Sequence, residues 1–168
     1  VGVWSRPFAG SSDLVRVMAQ RPNTIVSFDP PIAGCGTLQA GEDCNVFVRE
    51  DHVISATEPI LVGHFIPATV TAATAGTPTT GDPSLGMAVA TEQYRSDYTF
   101  LVPSQYAYNY VLLAARNGSA VTLDGVDVSG MLAPVGAGTY VAGRVAVLAG
   151  QHQLDCTLPG CGVEVMGI

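Results

Sequence analysis

The chain carries the same order of blocks twice, and no other feature constrains its fold as strongly. Val15 to Pro30, VRVMAQRPNTIVSFDP, lies over Tyr110 to Gly125, YVLLAARNGSAVTLDG. In that overlay Ala19 matches Ala114, Arg21 matches Arg116, Val26 matches Val121 and Asp29 matches Asp124. Further on, Gly36 to Glu42 (GTLQAGE) lies over Gly138 to Arg144 (GTYVAGR), His52 over His152 and Pro59 over Pro159. Copied units bury their apolar faces against one another. The reading is an internal duplication, which favours a modular binding or structural protein over a single-site enzyme.

Within each half the local pattern is that of strands. Short runs rich in Val, Ile, Thr, Tyr and Phe alternate with Gly, Pro, Asn and Asp, and helical periodicity is almost absent. The first half predicts strands at Leu14–Ala19, Thr24–Phe28, Cys44–Arg49, Val53–Ala56 and Ile60–Ile66. Their counterparts are Tyr106–Ala115, Ala120–Leu123, Thr139–Leu148, His152–Asp155 and Val163–Ile168. Arg21-Pro22-Asn23 and Asn117-Gly118 fall where tight hairpin turns are expected, and Asp124-Gly125 is a further strong turn. Val141, Val145 and Val147 share one face of their strand while Tyr140 and Arg144 share the other. The expected fold is all-β: an antiparallel β-sandwich built from two related units of about five strands each. The units are placed at 1–67 and 85–168. Residues 68–84 are a loop or linker, and Ala68 to Asp82, ATVTAATAGTPTTGD, holds no aromatic residue with which to build a core.

Only 12% of the residues are charged, all seven basic residues are arginine, and the net charge is −7. Without concentrated positive charge, nucleic acid is not an expected partner. No apolar run reaches the ~18 residues of a membrane helix, so no membrane insertion is expected. The opening VGVWSRPF shows no signal peptide and reads as the middle of a longer polypeptide; Trp4 could pack against the layer of tyrosines at 94–110 or against the upstream portion.

The four cysteines fall into two close pairs. Cys156-Thr-Leu-Pro-Gly-Cys161 contains a Pro-Gly turn that brings its ends together. If Gly36 to Asp43 were one straight strand, its ends would lie roughly 25 Å apart and Cys35 could not reach Cys44. The chain must therefore double back at Ala40-Gly41, or the pairing is wrong. Disulfides Cys35–Cys44 and Cys156–Cys161 are the expectation, in an oxidising compartment. The rival reading, zinc, lacks short knuckles on both sides and a histidine at ligand spacing.

Enzyme signatures are missing: there is no H-E-x-x-H, G-x-S-x-G or phosphate-cradling loop. No catalytic residue, cofactor or metal is assigned. His64, inside an apolar strand, reads as a hydrogen-bonded core residue, and His52 and His152 as structural residues at strand starts. Asp124 and Asp127 could hold Ca²⁺, but a hairpin turn explains Asp124 without it. Asn117-Gly-Ser119 is a glycosylation sequon that coincides with a tight turn. Tyr106, Tyr108 and Tyr110 alternate along one predicted strand, with Tyr94 and Tyr98 close before them. Tyrosine is enriched at binding hot spots. The stripe is thus either a core layer with its hydroxyls at the rim or a recognition surface. Both faces of that strand are apolar, which calls for a central strand or a subunit contact.

Three stretches carry a resemblance. CGTLQAGEDCNVFVREDHVISATEPILVGHF, DPSLGMAVATEQYRSDYTFLVP and the section from VTLDGVDV to HQLDCTLPGCGVEVMGI together span most of the chain, the second being the most specific. They resemble the IgGFc-binding protein amino-terminal domain family. The resemblance implies a partial domain of an extracellular or cell-surface β-rich module, without catalysis, used for adhesion or protein binding. Its partners would be a protein or glycoprotein ligand, or neighbouring subunits or domains of the same protein. The lysine-free, Ala/Gly/Arg-rich composition suggests a bacterial source. The alternative is a structural subunit of a surface filament or layer that assembles through exposed strand edges.

Overall fold

The computed structural model describes the backbone of residues 2–4 and, with side chains, residues 12–66, 83–157 and 159–167. The predicted linker Ala68 to Asp82 and the side chain of Trp4 lie outside the described residues.

The protein is all-β, with four antiparallel sheets. One sheet runs β1 (Gly2–Trp4), β6 (His52–Ala56), β3 (Thr24–Asp29), β4 (Thr37–Leu38). A second runs β5 (Asp43–Val48), β2 (Asp13–Ala19), β7 (Ile60–Ile66), β8 (Ser84–Met87). The third runs β9 (Asp97–Val102), β15 (Gly150–Cys156), β11 (Val121–Leu123), β12 (Val126–Asp127). The fourth runs β13 (Ala133–Val135), β14 (Tyr140–Val147), β10 (Asn109–Arg116), β16 (Cys161–Gly167). Thr91–Gln93 and Ser129–Met131 each make one 3₁₀ turn.

Alternation dictates how the sheets pair. Along β2, Val15, Val17 and Ala19 point inward, and Leu14, Arg16 and Met18 point out. Those inward residues share one cluster with Val26 and Phe28 of β3, Val46 and Val48 of β5, and Ile54 of β6. Two sheets therefore enclose one core, the arrangement of a β-sandwich. The later pair does the same with Val111, Leu113 and Ala115 of β10, Val121 and Leu123 of β11, and Val141 and Val145 of β14. β8 joins β7 in the first pair, so that pair draws on chain from both sides of residues 67–82.

Strand order corresponds between the pairs. β1–β6–β3–β4 matches β9–β15–β11–β12, and β5–β2–β7 matches β14–β10–β16. The sequence overlay follows this order in its first and last blocks. It slips in two places. Ala19 faces the core whereas Ala114 faces the other half; the inward counterpart of Ala19 is Ala115. A one-residue slip costs nothing in letter matching but turns a side chain to the opposite face. The GTLQAGE block lies on β4 and its following turn, whereas GTYVAGR runs into β14, the counterpart of β5.

The predicted hairpins at Arg21-Pro22-Asn23 and Asn117-Gly118 are tight turns, but they join strands of opposite sheets. β2 and β3 both need their inward faces on one core, and stepping between layers achieves that. Asp124-Gly125, with φ of 51° and 77°, does form a two-residue hairpin between β11 and β12. The strand expected from Tyr106 begins only at Asn109, after a loop opened by Pro103-Ser104. Strands β1, β4, β8, β9, β12 and β13 were not anticipated. Most are short edge segments with little alternation to read.

The halves meet through outward faces. Val53 of β6 packs with Ala114, Val135 and Ala142, flanked by Tyr94 and Tyr140. Asp29 beside it accepts a 2.7 Å hydrogen bond from the Ala137 amide in the β13–β14 turn. Gly136 lies in the left-handed region (φ 52°), and a Cβ there would strike the Asp29 carboxylate. β10 is the central strand that its two apolar faces require, with Leu112 and Leu113 both buried.

Candidate binding surface

The two disulfides sit where turns demand them. Gly41 (φ 81°) reverses the chain, the Glu42 amide donates to Gln39 O at 3.0 Å, and the Cys35 and Cys44 Cα atoms come to 5.6 Å. Cys156 and Cys161 have Cα atoms 6.0 Å apart and join the second core.

Tyr98 holds that second disulfide loop in place. Its hydroxyl donates to Cys161 O at 2.6 Å and accepts from the Arg95 amide at 3.0 Å. Arg95 bridges Cys161 backbone to backbone, and its guanidinium lies 5.9 Å from the Tyr98 ring centre. The neighbouring glycines are required by contact. A Cβ at Gly160 would collide with the Arg95 backbone, and one at Gly162 with the Tyr94 ring. Tyr94 is turned in toward the junction of the halves, and burial first, then Tyr140, raises its pKa. The most distinctive block of the sequence, EQYRSDYTFLVP, thus works on architecture. Tyr94 and Tyr98 are struts.

Tyr106 and Tyr108 behave differently. They are 48% and 51% exposed, in the loop between β9 and β10. Tyr110 lies on β10 and is half-buried. The register brings this loop to one end of the second sheet pair. Asn109 pairs with Val147 and Gly167, and Val102 with Gly150, so the β14–β15 turn with Leu148 (82% exposed) lies beside it. The Tyr106 ring rests over Gly167, where a Cβ would overlap it. Asn109 is buried next to both, and its Oδ1 has no hydrogen-bond partner among the described residues. Residues 103–109 and 148–150 contain no charged side chain. Sequence reasoning singled out the tyrosines but missed Leu148 and Asn109; Leu148-Ala149-Gly150 was legible as a turn with an apolar tip.

Each histidine is engaged by polar contacts within the fold. His64 Nε2 lies 3.2 Å from Asp13 Oδ2 in the first core, both fully buried. His52 Nδ1 is 3.0 Å from Pro30 O. His152 Nδ1 sits 2.7 Å from Asp124 Oδ2 while Nε2 reaches Leu148 O at 2.9 Å. The Asp124 carboxylate raises the His152 pKa. The Gln153 amide and then His152 lower that of Asp124. Asp127 is similarly lowered by Ser129, whose amide it accepts at 2.8 Å. With Asp124 and Asp127 so engaged, Ca²⁺ is not needed to explain them. No group of three or more His, Cys, Asp or Glu that could hold a metal occurs among the described residues. Asn117 Nδ2 donates to Gly138 O at 2.9 Å, a bond that a glycan on the sequon would disturb.

A family model described as IgGFc binding protein matches residues 3–167, nearly the whole chain. The chain belongs to the IgGFc-binding protein family. No curated protein and no solved structure matches it. IgGFc-binding domains are extracellular protein-binding modules, and the two disulfides accord with that location. No helix among the described residues is long and apolar enough to cross a membrane.

Proposed function

We propose that this IgGFc-binding domain is a non-enzymatic adhesion module that engages a protein or glycoprotein through the loop end of its second sheet pair. Tyr106 and Tyr108 are the anchors, Leu148 extends the apolar contact, and Tyr110 supports them from β10. One observation carries the reading: rigid tyrosines stand out from a loop whose base is fixed by three strands. Loop ends of sandwiches, bearing tyrosine, are where such folds recognise partners. The two loop segments carry no charged side chain and the nearby Asp124 is paired with His152, so binding depends little on salt, in contrast to electrostatic recognition.

The test is biolayer interferometry on the immobilised chain, with immunoglobulin Fc and a mucin-type glycoprotein as probes. Tyr106→Ser with Tyr108→Ser weakens binding about 30-fold or more, with the fold retained by circular dichroism. Binding that survives the double variant, or that collapses with added salt, overturns the reading. A second reading, a subunit of a surface filament or layer, is favoured by β5 and β16, which are six- and seven-residue strands at sheet edges. Electron microscopy of concentrated protein separates it from the first.

A further inference from the structure

We propose that two copies of this chain pair face to face through the outward surface of the β5–β2–β7–β8 sheet. Four strands place one apolar row across it: Phe47, Leu14, Phe65 and Leu85 stand in register on successive strands. Met18 with Leu61, and Met87, continue it along the sheet. Phe47 is 71% exposed, Leu85 59%, Leu61 58%, Met87 44% and Met18 40%. Between Phe47 and Leu85 runs a groove of about 410 Å³ floored by Leu14 and Phe65. Isolated exposed apolar residues are ordinary, but a contiguous patch of this extent on a secreted chain marks a contact.

Three observations identify the occupant. First, the equivalent face in the second half, that of β14–β10–β16, is covered in this chain by a sheet of the same fold. Such a face therefore accepts a β-sandwich neighbour. Second, among the sheet faces of a second copy, apart from the tyrosine loop end, elimination leaves one that can provide the matching apolar area. On the β6–β3 outward face Val53 and Asp29 are already used within the chain, and Ile25 is the one large exposed apolar residue of β3 there. The outward face of β11–β15–β9 carries Thr99, Thr122, Gln151, Gln153 and Asp155, with Leu101 its one large apolar residue. The remaining surface is the same patch, which makes the contact isologous and closed. Third, the area suffices. These side chains expose roughly 500–600 Å² per copy, so pairing removes about 1,000–1,200 Å² in total, at the low end for specific interfaces.

Charge does not oppose the contact, although the chain carries −7. The charges of Arg16 and Asp43 cancel within the face. Arg16 Nε lies 3.4 Å from Asp43 Oδ2 and 2.8 Å from Asn45 Oδ1, and its guanidinium is 5.4 Å from the Phe65 ring centre. Phe47, the most exposed member, is the knob for the partner's groove. A closed pair carries two copies of the tyrosine loop, so a multivalent ligand would be held with avidity.

Sedimentation velocity on the intact chain, from about 5 to 500 µM, tests this at the affinity expected of so small an interface. The expected result is a concentration-dependent monomer–dimer equilibrium. Phe47→Asp weakens it about 30-fold or more, Leu61→Asp weakens it independently, and Tyr106→Ser leaves it unchanged. A chain that stays monomeric at the highest concentration overturns the proposal. So does a dimer indifferent to both face variants, or growth beyond the dimer.

Discussion

β2 and β10 hold the same place in their sheets, and their inward residues are near copies: Val15, Val17 and Ala19 against Val111, Leu113 and Ala115. Their outward residues have opposite fates. Leu112 and Ala114 are buried, while Arg16 and Met18 are exposed and Leu14 is only partly covered. The inward alternation therefore fixes the sandwich, and the outward alternation decides what may lie against it. Ala114 and Ala142 are small, which lets β6 approach closely enough for Val53 to be buried between the halves. Phe47 and Phe65 on the other face would hold a neighbouring backbone away and instead offer a surface to interlock with. Ala114 and Ala142 leave room for Val53 at the centre of the junction, whereas the large exposed side chains of the other face suit a separable partner.

The sharpest way to break this comparison is to place a charge on each face. Ala142→Asp puts a carboxylate at a position 1% exposed, in the junction between halves. Without a partner for that charge, the expected loss is about 3–5 kcal/mol, read from urea unfolding. Leu61→Asp, at a position 58% exposed, changes the stability of dilute protein by less than about 0.5 kcal/mol. Equal losses from the two variants would mean that the covered face contributes nothing special.

The disulfides extend the comparison to the cores. Chain entropy alone ranks Cys35–Cys44, at separation 9, above Cys156–Cys161, at separation 5, by roughly half a kcal/mol. Burial ranks them the other way. Cys156 and Cys161 belong to the second core and Tyr98 bonds the Cys161 carbonyl, whereas Cys35 and Cys44 only pack against the edge of the first. Replacing Cys156 and Cys161 by serine is expected to cost about 3 kcal/mol, and replacing Cys35 and Cys44 about 2 kcal/mol. The reverse order would show that loop closure outweighs the packing of the sulfurs.

How much of this was legible in the sequence follows from what each signal measures. Strong alternation marked β2, β7 and β14 within about a residue, and spacing with turn chemistry identified both cysteine pairs. Edge strands such as β4 and β12, two residues each, carry no periodicity to detect. The overlay of Ala19 on Ala114 scored letters, not faces, and concealed which residues join the halves. Tyr106, Tyr108 and Tyr110 look like one stripe because the period of two in Tyr106–Ala115 is carried back to Tyr106, directly after Pro103-Ser104-Gln105. The loop reading needed only the rule that proline and serine interrupt strands. That Tyr94 and Tyr98 serve the disulfide loop could not be read at all, since Cys161 lies 63 residues from Tyr98.

Glu164 provides the subtlest test of the two faces. It stands on β16 in the covered face, opposite Leu112, with its carboxyl against the backbone of Gly86 in β8. Beyond Leu112, Arg144 is the nearest charged residue in that row, on β14, and β8 presents none. Burial pushes the Glu164 pKa up to about 7. An acid whose folded pKa exceeds its unfolded value binds more protons in the native state, so stability falls as pH rises between the two. This contribution is flat below the ordinary glutamate range, declines up to about pH 7, and is flat again above. Glu164→Gln is expected to remove that slope and to raise stability at pH 8 by about 1–2 kcal/mol, while matching the parent near pH 4. A glutamate introduced on the open face, Leu61→Glu, keeps its hydration and adds no such slope. A parent profile that Glu164→Gln leaves unchanged would show that water reaches the junction between the halves, and that the two faces differ less than their packing indicates.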